Sequence, residues 1–221
     1  MRTSVLRLAA NLCTLGVARG LAFTPNDPGD QMWDTWLYKR PGGGWLLNYL
    51  TKHHSNRWNT VGTALSVDGA HFADAGPSIF KDCLDKQTDC AVWLGSGSVW
   101  KRLANSSNSS AEEYVMNFSQ EYDCGGGNCQ AIFFATSTDL VNWTPVAPDA
   151  LRHGGLVFEV NTSIYHAPGR WDCIAVLPRP GGGYYGYFTA TPIPAAGGPA
   201  DCGGKSCGAG FAESLDRKSV V

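Results

Sequence analysis

The sequence is poor in charge, and several classes of function fall with that. Asp, Glu, Lys and Arg make up 16% of its 221 residues and leave a net charge of −2. A nucleic-acid partner needs a basic face, which a chain with so little charge is not expected to present. Long charged helix-forming runs are absent, as is any run of about 18 apolar residues that could span a membrane. There is no histidine cluster and no acidic loop, so no metal or other cofactor is expected. No G-x-S-x-G elbow occurs, which leaves a serine hydrolase without support.

What is plentiful is Gly (27), Pro (12), Trp (8), Tyr (8) and Phe (9). Aromatics and turn formers in that proportion suit short strands joined by tight turns, in a sandwich, barrel or propeller. The length fits one domain or a piece of a larger protein.

Residues 1–22 read as a secretory signal, with Arg2 and Arg7 ahead of an apolar run and Gly20-Leu21-Ala22 as the cleavage site. A plain N-terminal helix is the alternative. Five N-x-S/T sequons, at Asn105, Asn108, Asn117, Asn142 and Asn161, point to a secreted, extracellular or vacuolar glycoprotein. Cys83 with Cys90, Cys124 with Cys129, and Cys202 with Cys207 are close neighbours. They read as three loop-closing disulfides, or for the two C-x-x-x-x-C pairs as a four-thiolate zinc site. Cys173 is left over as a buried thiol.

The decisive pattern is a repeat. Met32 to Thr51 reads as strand, Gly-rich turn and strand, and its second strand aligns as Trp45-LLNYLT, Tyr114-VMNFSQ and Tyr184-YGYFTA. Each is followed by a strand ending in one signature: Ala64-x-Ser66-x-Asp68, Ala135-x-Ser137-x-Asp139 and Ala212-x-Ser214-x-Asp216. In the first two, an aromatic follows (Phe72, Trp143). The aspartate is expected to cap a tight turn, with the aromatic packing back over it. A four-stranded sheet with an apolar face cannot bury that face alone, and stacking such sheets around an axis makes a propeller. The domain is placed at 23–215. The third repeat breaks in mid-signature, and residues 216–221 read as the translation of a sequencing adapter, or as a ragged natural end. The protein is expected to continue beyond Leu215.

Three features on this repeat resemble the five-bladed propeller glycosidases that include invertases and other fructosidases, levansucrases and arabinanases. Trp33-Asp34-Thr35-Trp36 resembles the levansucrase W-D-S-W and the invertase N-D-P-N-G region. Gly95-Ser96-Gly97-Ser98-Val99 resembles the S-G-S element of the second blade, and Arg170-Trp171-Asp172 the R-D-P element of the third. Ala135 to Trp143 is similar to a fructosidase blade signature. The resemblance covers about residues 32 to 215. It implies an all-β, five-bladed β-propeller, about three blades of which are in this chain, and a carbohydrate substrate.

Cleaving a furanoside passes through an oxocarbenium-like state. One carboxylate attacks the anomeric carbon while a protonated carboxyl gives its proton to the leaving oxygen. Asp34 is assigned as nucleophile, against the plainer possibility of a turn-capping Asp. Asp27, in Asn26-Asp27-Pro28, is its rival, and the spacing to Trp45 and Tyr49 favours Asp34. Asp172 is assigned as the stabiliser that holds sugar hydroxyls, with Arg170 beside it. Trp171 separates the two, and Trp171-Asp172-Cys173 could instead echo the family's W-E-C acid motif. Ser96 and Ser98 could bond sugar hydroxyls. Trp36, Trp93, Trp100 and Tyr185 could stack on sugar faces, although such aromatics also serve as core. None of Glu112, Glu113, Glu159 or Glu213 stands at the head of an inner strand. The general acid is therefore expected beyond Leu215, and the chain by itself is expected to be nearly inactive. An arabinan- or mannoside-active relative and a non-catalytic sugar-binding propeller are the alternatives.

Overall fold

A computed structural model describes residues 23–27, 29–52, 57–80, 93–102, 112–123, 128–146, 158, 161–166, 171–194 and 208–214. Every element named within them is a strand. Strands β1 (Met32–Lys39), β2 (Trp45–Thr51), β3 (Thr60–Ser66) and β4 (Ala73–Phe80) pair in that order as an antiparallel sheet. Strands β5 (Leu94–Lys101), β6 (Tyr114–Asp123), β7 (Asn128–Ser137) and β8 (Thr144–Pro145) form a second. A third holds β9 (Asp172–Pro178), β10 (Tyr184–Ala190) and β11 (Gly208–Ser214), with β10 in the middle. The three sheets stand side by side, with β5 between β1 and β9. This is the partial propeller the repeat predicts, and β1, β5 and β9 are its innermost strands.

Alternation along the second strand of each blade sets which blade it meets. Tyr114, Met116 and Phe118 share a core with Leu46, Leu50 and Val61 of the first blade. Val115, one residue out of phase, packs with Trp100 and Phe134 against Ile174, Tyr184 and Phe188 of the third. Each fully buried side chain of this size is worth about 1.5–3 kcal/mol against exposure. On the face of the third blade turned away from the second, Tyr187 and Phe211 meet with tilted rings, centroids 5.4 Å apart, and remain about half exposed.

Local chemistry explains the turns. Arg-Pro-Gly-Gly-Gly closes both the β1–β2 and the β9–β10 hairpins, and all six glycines have positive φ. Only glycine adopts that backbone without strain. The Arg40 amide donates to Gly44 O and the Arg179 amide to Gly183 O, both at 3.0 Å. The A-x-S-x-D signature is a capped turn in both places where it is described. Asp68 Oδ1 accepts from the amides of Ala70 (2.8 Å) and His71 (2.9 Å). Asp139 Oδ1 does the same for Val141 (2.9 Å) and Asn142 (2.7 Å). Trp143 is buried over its turn, and Phe72 packs on the first blade.

Of the expected glycosylation sites, Asn142 and Asn161 are exposed, whereas Asn117 is completely buried. A glycan on Asn117 is incompatible with this fold. Asn105 and Asn108 fall outside the described residues, as do residues 1–22 and 216–221, and so do Cys83, Cys90, Cys124, Cys202 and Cys207 of the expected disulfides; Cys129 is on β7.

Candidate functional site

The heads of the three inner strands share one irregularity. Pairing slips between Trp33 and Thr35 on β1, between Gly95 and Gly97 on β5, and on β9 between the partners of Tyr187 and Thr189, Ala175 and Asp172. Each slip is a bulge, the device that re-aims a side chain at a strand end. The residues at or within the three bulges are Asp34, Ser96 and Cys173. Asp34 (φ +33°) and Cys173 (φ +54°) have left-handed backbone, which non-glycine residues rarely adopt and which collects at functional sites.

These three side chains meet. Ser96 Oγ lies 3.4 Å from Asp34 Oδ2, to which it donates, and 2.8 Å from Cys173 Sγ. Asp34 is exposed, while Ser96 and Cys173 are half-buried. The Cys173 thiol is pushed up to about 12, chiefly by burial and further by the negative charges of Asp172 and Asp34, with the Ser96 contact pulling the other way. At neutral pH it is a protonated, hydrogen-bonding group rather than a nucleophile.

Asp172, the neighbour of Cys173, is placed differently from its assignment. It is 7% exposed and accepts a hydrogen bond from Ser119 Oγ on β6. It therefore ties the second blade to the third. Gly95 makes room for this contact, because a Cβ there would lie 2.7 Å from Asp172 Oδ1 and clash with the Ser119 hydroxyl.

Two residues expected to touch sugar are committed elsewhere. Ser98 Oγ donates to Ile174 O (2.9 Å) and accepts from Asn117 Nδ2 (2.8 Å) and the Val176 amide (3.1 Å). Its hydroxyl pins β5 to β9 and has no capacity left for a ligand. Trp100 is 3% exposed, with its ring edge-on to Phe134 and Tyr184. Of the other aromatics, Trp36 is half-buried against the core between the first two blades. Trp93 lies under the Arg57 guanidinium, and Tyr185 packs on Phe211. Arg170 and Glu159 lie outside the described residues.

The other glutamates under consideration are at the wrong end. Glu112, Glu113 and Glu213 sit where inner strands finish, paired with Lys101, Arg102 and Arg179 respectively. Sequence reasoning overlooked Glu121, on β6 two residues past Ser119. Its amide donates to Trp93 O (2.8 Å), which puts it at the same end as Ser96. The β5–β6 register, with Lys101 opposite Tyr114, could have shown this. Trp33, half exposed beside Asp34, packs on Trp58 at 5.2 Å, and Lys52 stands over the Trp58 ring. The exposed Asp34 thus follows directly on Trp33, which forms an aromatic pair with the half-buried Trp58. Such a surface can bind hydroxyl-rich rings by stacking and hydrogen bonding.

No protein-family model matches this sequence, and no curated protein matches it. Solved structures do. A complex of BT0996 with RGII matches 85% of this chain and 47% of its own length, at 15% identity and a TM-score of 0.51. A candidate glycoside hydrolase from Parabacteroides distasonis matches over 80% of this chain and 52% of its own, at 13% identity and TM-score 0.42. A further glycoside hydrolase matches over 91% and 76%, at 12% identity and TM-score 0.36. The chain spans about half the length of the first two of these structures. Its likeness to the BT0996 complex is one of fold.

Proposed function

We propose that this chain is part of a propeller glycosidase of the fructosidase type, acting on sucrose or a fructan, with Asp34 as its attacking carboxylate. One observation carries the proposal. Of the two carboxylates at the heads of the inner strands, only Asp34 is exposed, held by a bulge at the mouth with Ser96 as its hydrogen-bond donor. Asp34 attacks the anomeric carbon as the bond to the leaving oxygen breaks; the protonated leaving group departs and the fructosyl unit stays on Asp34 as an ester. Water then releases the sugar with net retention. A retaining enzyme places its second carboxyl about 5 Å from the first. The described glutamates Glu112, Glu113 and Glu213 stand at the far ends of their strands. Glu121 is the described glutamate at the same end as Ser96, and the leaving-group proton comes either from it or from a carboxyl outside the described residues. Asp172 contributes by holding the second and third blades in register through Ser119.

A secreted, glycosylated protein fits this substrate, since fructans and arabinans are met outside the cytoplasm. Arabinan- and mannoside-directed activity are the nearest alternatives within the same architecture. The burial of Asp172 favours one reading of a different class, a propeller that binds sugar without cleaving it. Reducing-sugar release from sucrose, inulin, arabinan and mannan by the protein that carries this chain separates them. Hydrolysis of sucrose or inulin is expected, and Asp34→Asn should lower it by on the order of 10⁴-fold. Undiminished turnover in Asp34→Asn overturns the nucleophile, and sugar binding without turnover establishes the binding module.

A further inference from the structure

The three bulges make Cys173 the counterpart of Asp34 and Ser96, one residue from each innermost strand at the same end of the blades. We infer that Cys173 is a positioning residue for Asp34: wedged between Ser96 and Asp172, its thiol holds the Ser96 hydroxyl beside the Asp34 carboxylate. The inference rests on the assignment of Asp34 as the attacking group.

The contacts form one chain across three blades. Ser119 Oγ on β6 donates to Asp172 on β9, and Asp172 and the Cys173 thiol share a hydrogen bond. Cys173 Sγ lies 2.8 Å from Ser96 Oγ on β5, and Ser96 Oγ lies 3.4 Å from Asp34 Oδ2 on β1. The charged groups facing the thiol are Asp172 and Asp34, and both oppose a thiolate. It stays S–H and donates to Asp172, the carboxylate that already bonds Ser119. Its sulfur is then left to the serine, as a soft and weak acceptor. The serine hydroxyl is retained at the mouth without being surrendered to a strong competitor, and it remains available to Asp34. Its contact with Asp34 is long, as befits a bond that tightens when a substrate closes over the carboxylate. The left-handed backbone of Cys173 lies within the β9 bulge, and its thiol reaches Ser96 from there.

Site-resolved alkylation by iodoacetamide, read by mass spectrometry, tests the chain of contacts without reference to catalysis. Asp172→Asn should label Cys173 several-fold faster than the parent, because a repelling charge is gone. Ser96→Ala should label it more slowly, because the serine favours the thiolate. Equal rates in all three proteins overturn the inference. Hydrolysis gives the second arm. Cys173→Ala should lower kcat about tenfold with little change in KM, and Cys173→Ser should restore most of it. A Cys173→Ala protein with parental kcat overturns the positioning role even where Asp34→Asn is inactive. An active Asp34→Asn protein removes the nucleophile assignment instead. Should no furanoside be cleaved at all, the labelling rates alone decide whether Cys173 holds Ser96.

Discussion

Asn117 Nδ2, on the second strand of the second blade, donates to the carbonyl of Ile174 on the inner strand of the third, at 3.0 Å. The same amide group donates to Ser98 Oγ, and Asn117 Oδ1 accepts from the Ser98 amide at 3.2 Å. A residue that heads a glycosylation sequon is thus a fastener between blades, completely buried. Asn117→Ala would strip the Ser98 amide of its acceptor in a dry setting, which costs about 1–3 kcal/mol. Urea denaturation should show that loss. In a glycosylating host, peptide mapping should find Asn117 bare even where Asn142 or Asn161 carries a glycan.

Trp100 and Trp33 separate core from surface. Trp100 fills the gap between the second and third blades, so Trp100→Ala should cost about 3–5 kcal/mol, as large-to-small core substitutions do. Trp33 is 51% exposed, and Trp33→Ala gives up little more than its contact with Trp58, about 1 kcal/mol or less. Thermal melts of the two variants should differ widely. If Trp33 stacks on sugar, its variant should weaken sugar binding while melting like the parent.

The two capped turns predict an acid-sensitive stability. The side chain and then the amide of His71, followed by the Ala70 amide, hold Asp68 well below the usual carboxylate range. The side chain and then the amide of Asn142, with the Val141 amide, do the same for Asp139. Both pKa values are lower folded than unfolded, so the stabilisation is present above the unfolded value of about 3.9. It is lost as pH falls from there through the folded values. Urea midpoints should drop below about pH 4. The Asp68→Asn, Asp139→Asn double variant should be less stable at pH 6 and show a flatter profile in that acid window. A double variant with the parental pH profile would dismiss the turns as its source.

Much of this architecture is written locally. Val115 and Met116 alternate because strand side chains change face at every residue, and that alternation allots them to opposite blades. The Arg-Pro-Gly-Gly-Gly turns and the Ser-x-Asp caps depend on groups a few residues apart, so the repeat was legible before any contact was known. The site was only partly legible. Asp34 could be placed at the head of an inner strand by spacing to Trp45 and Tyr49. No such rule separates Ser96 from Ser98, or Cys173 from Asp172. A bulge adds one residue to a strand and turns the following side chains to the other face, and where it falls depends on pairing with the neighbouring strand. Asn117 shows the same limit, since its sequon is local and its burial belongs to the third blade. The sequence by itself determined the blades and their turns, through periodicity and short-range hydrogen bonds. Tertiary structure alone decided that Asp34, Ser96 and Cys173 converge at the mouth while Asp172, Ser98 and Trp100 hold the blades together, because those roles depend on which residue each bulge turns toward its neighbours.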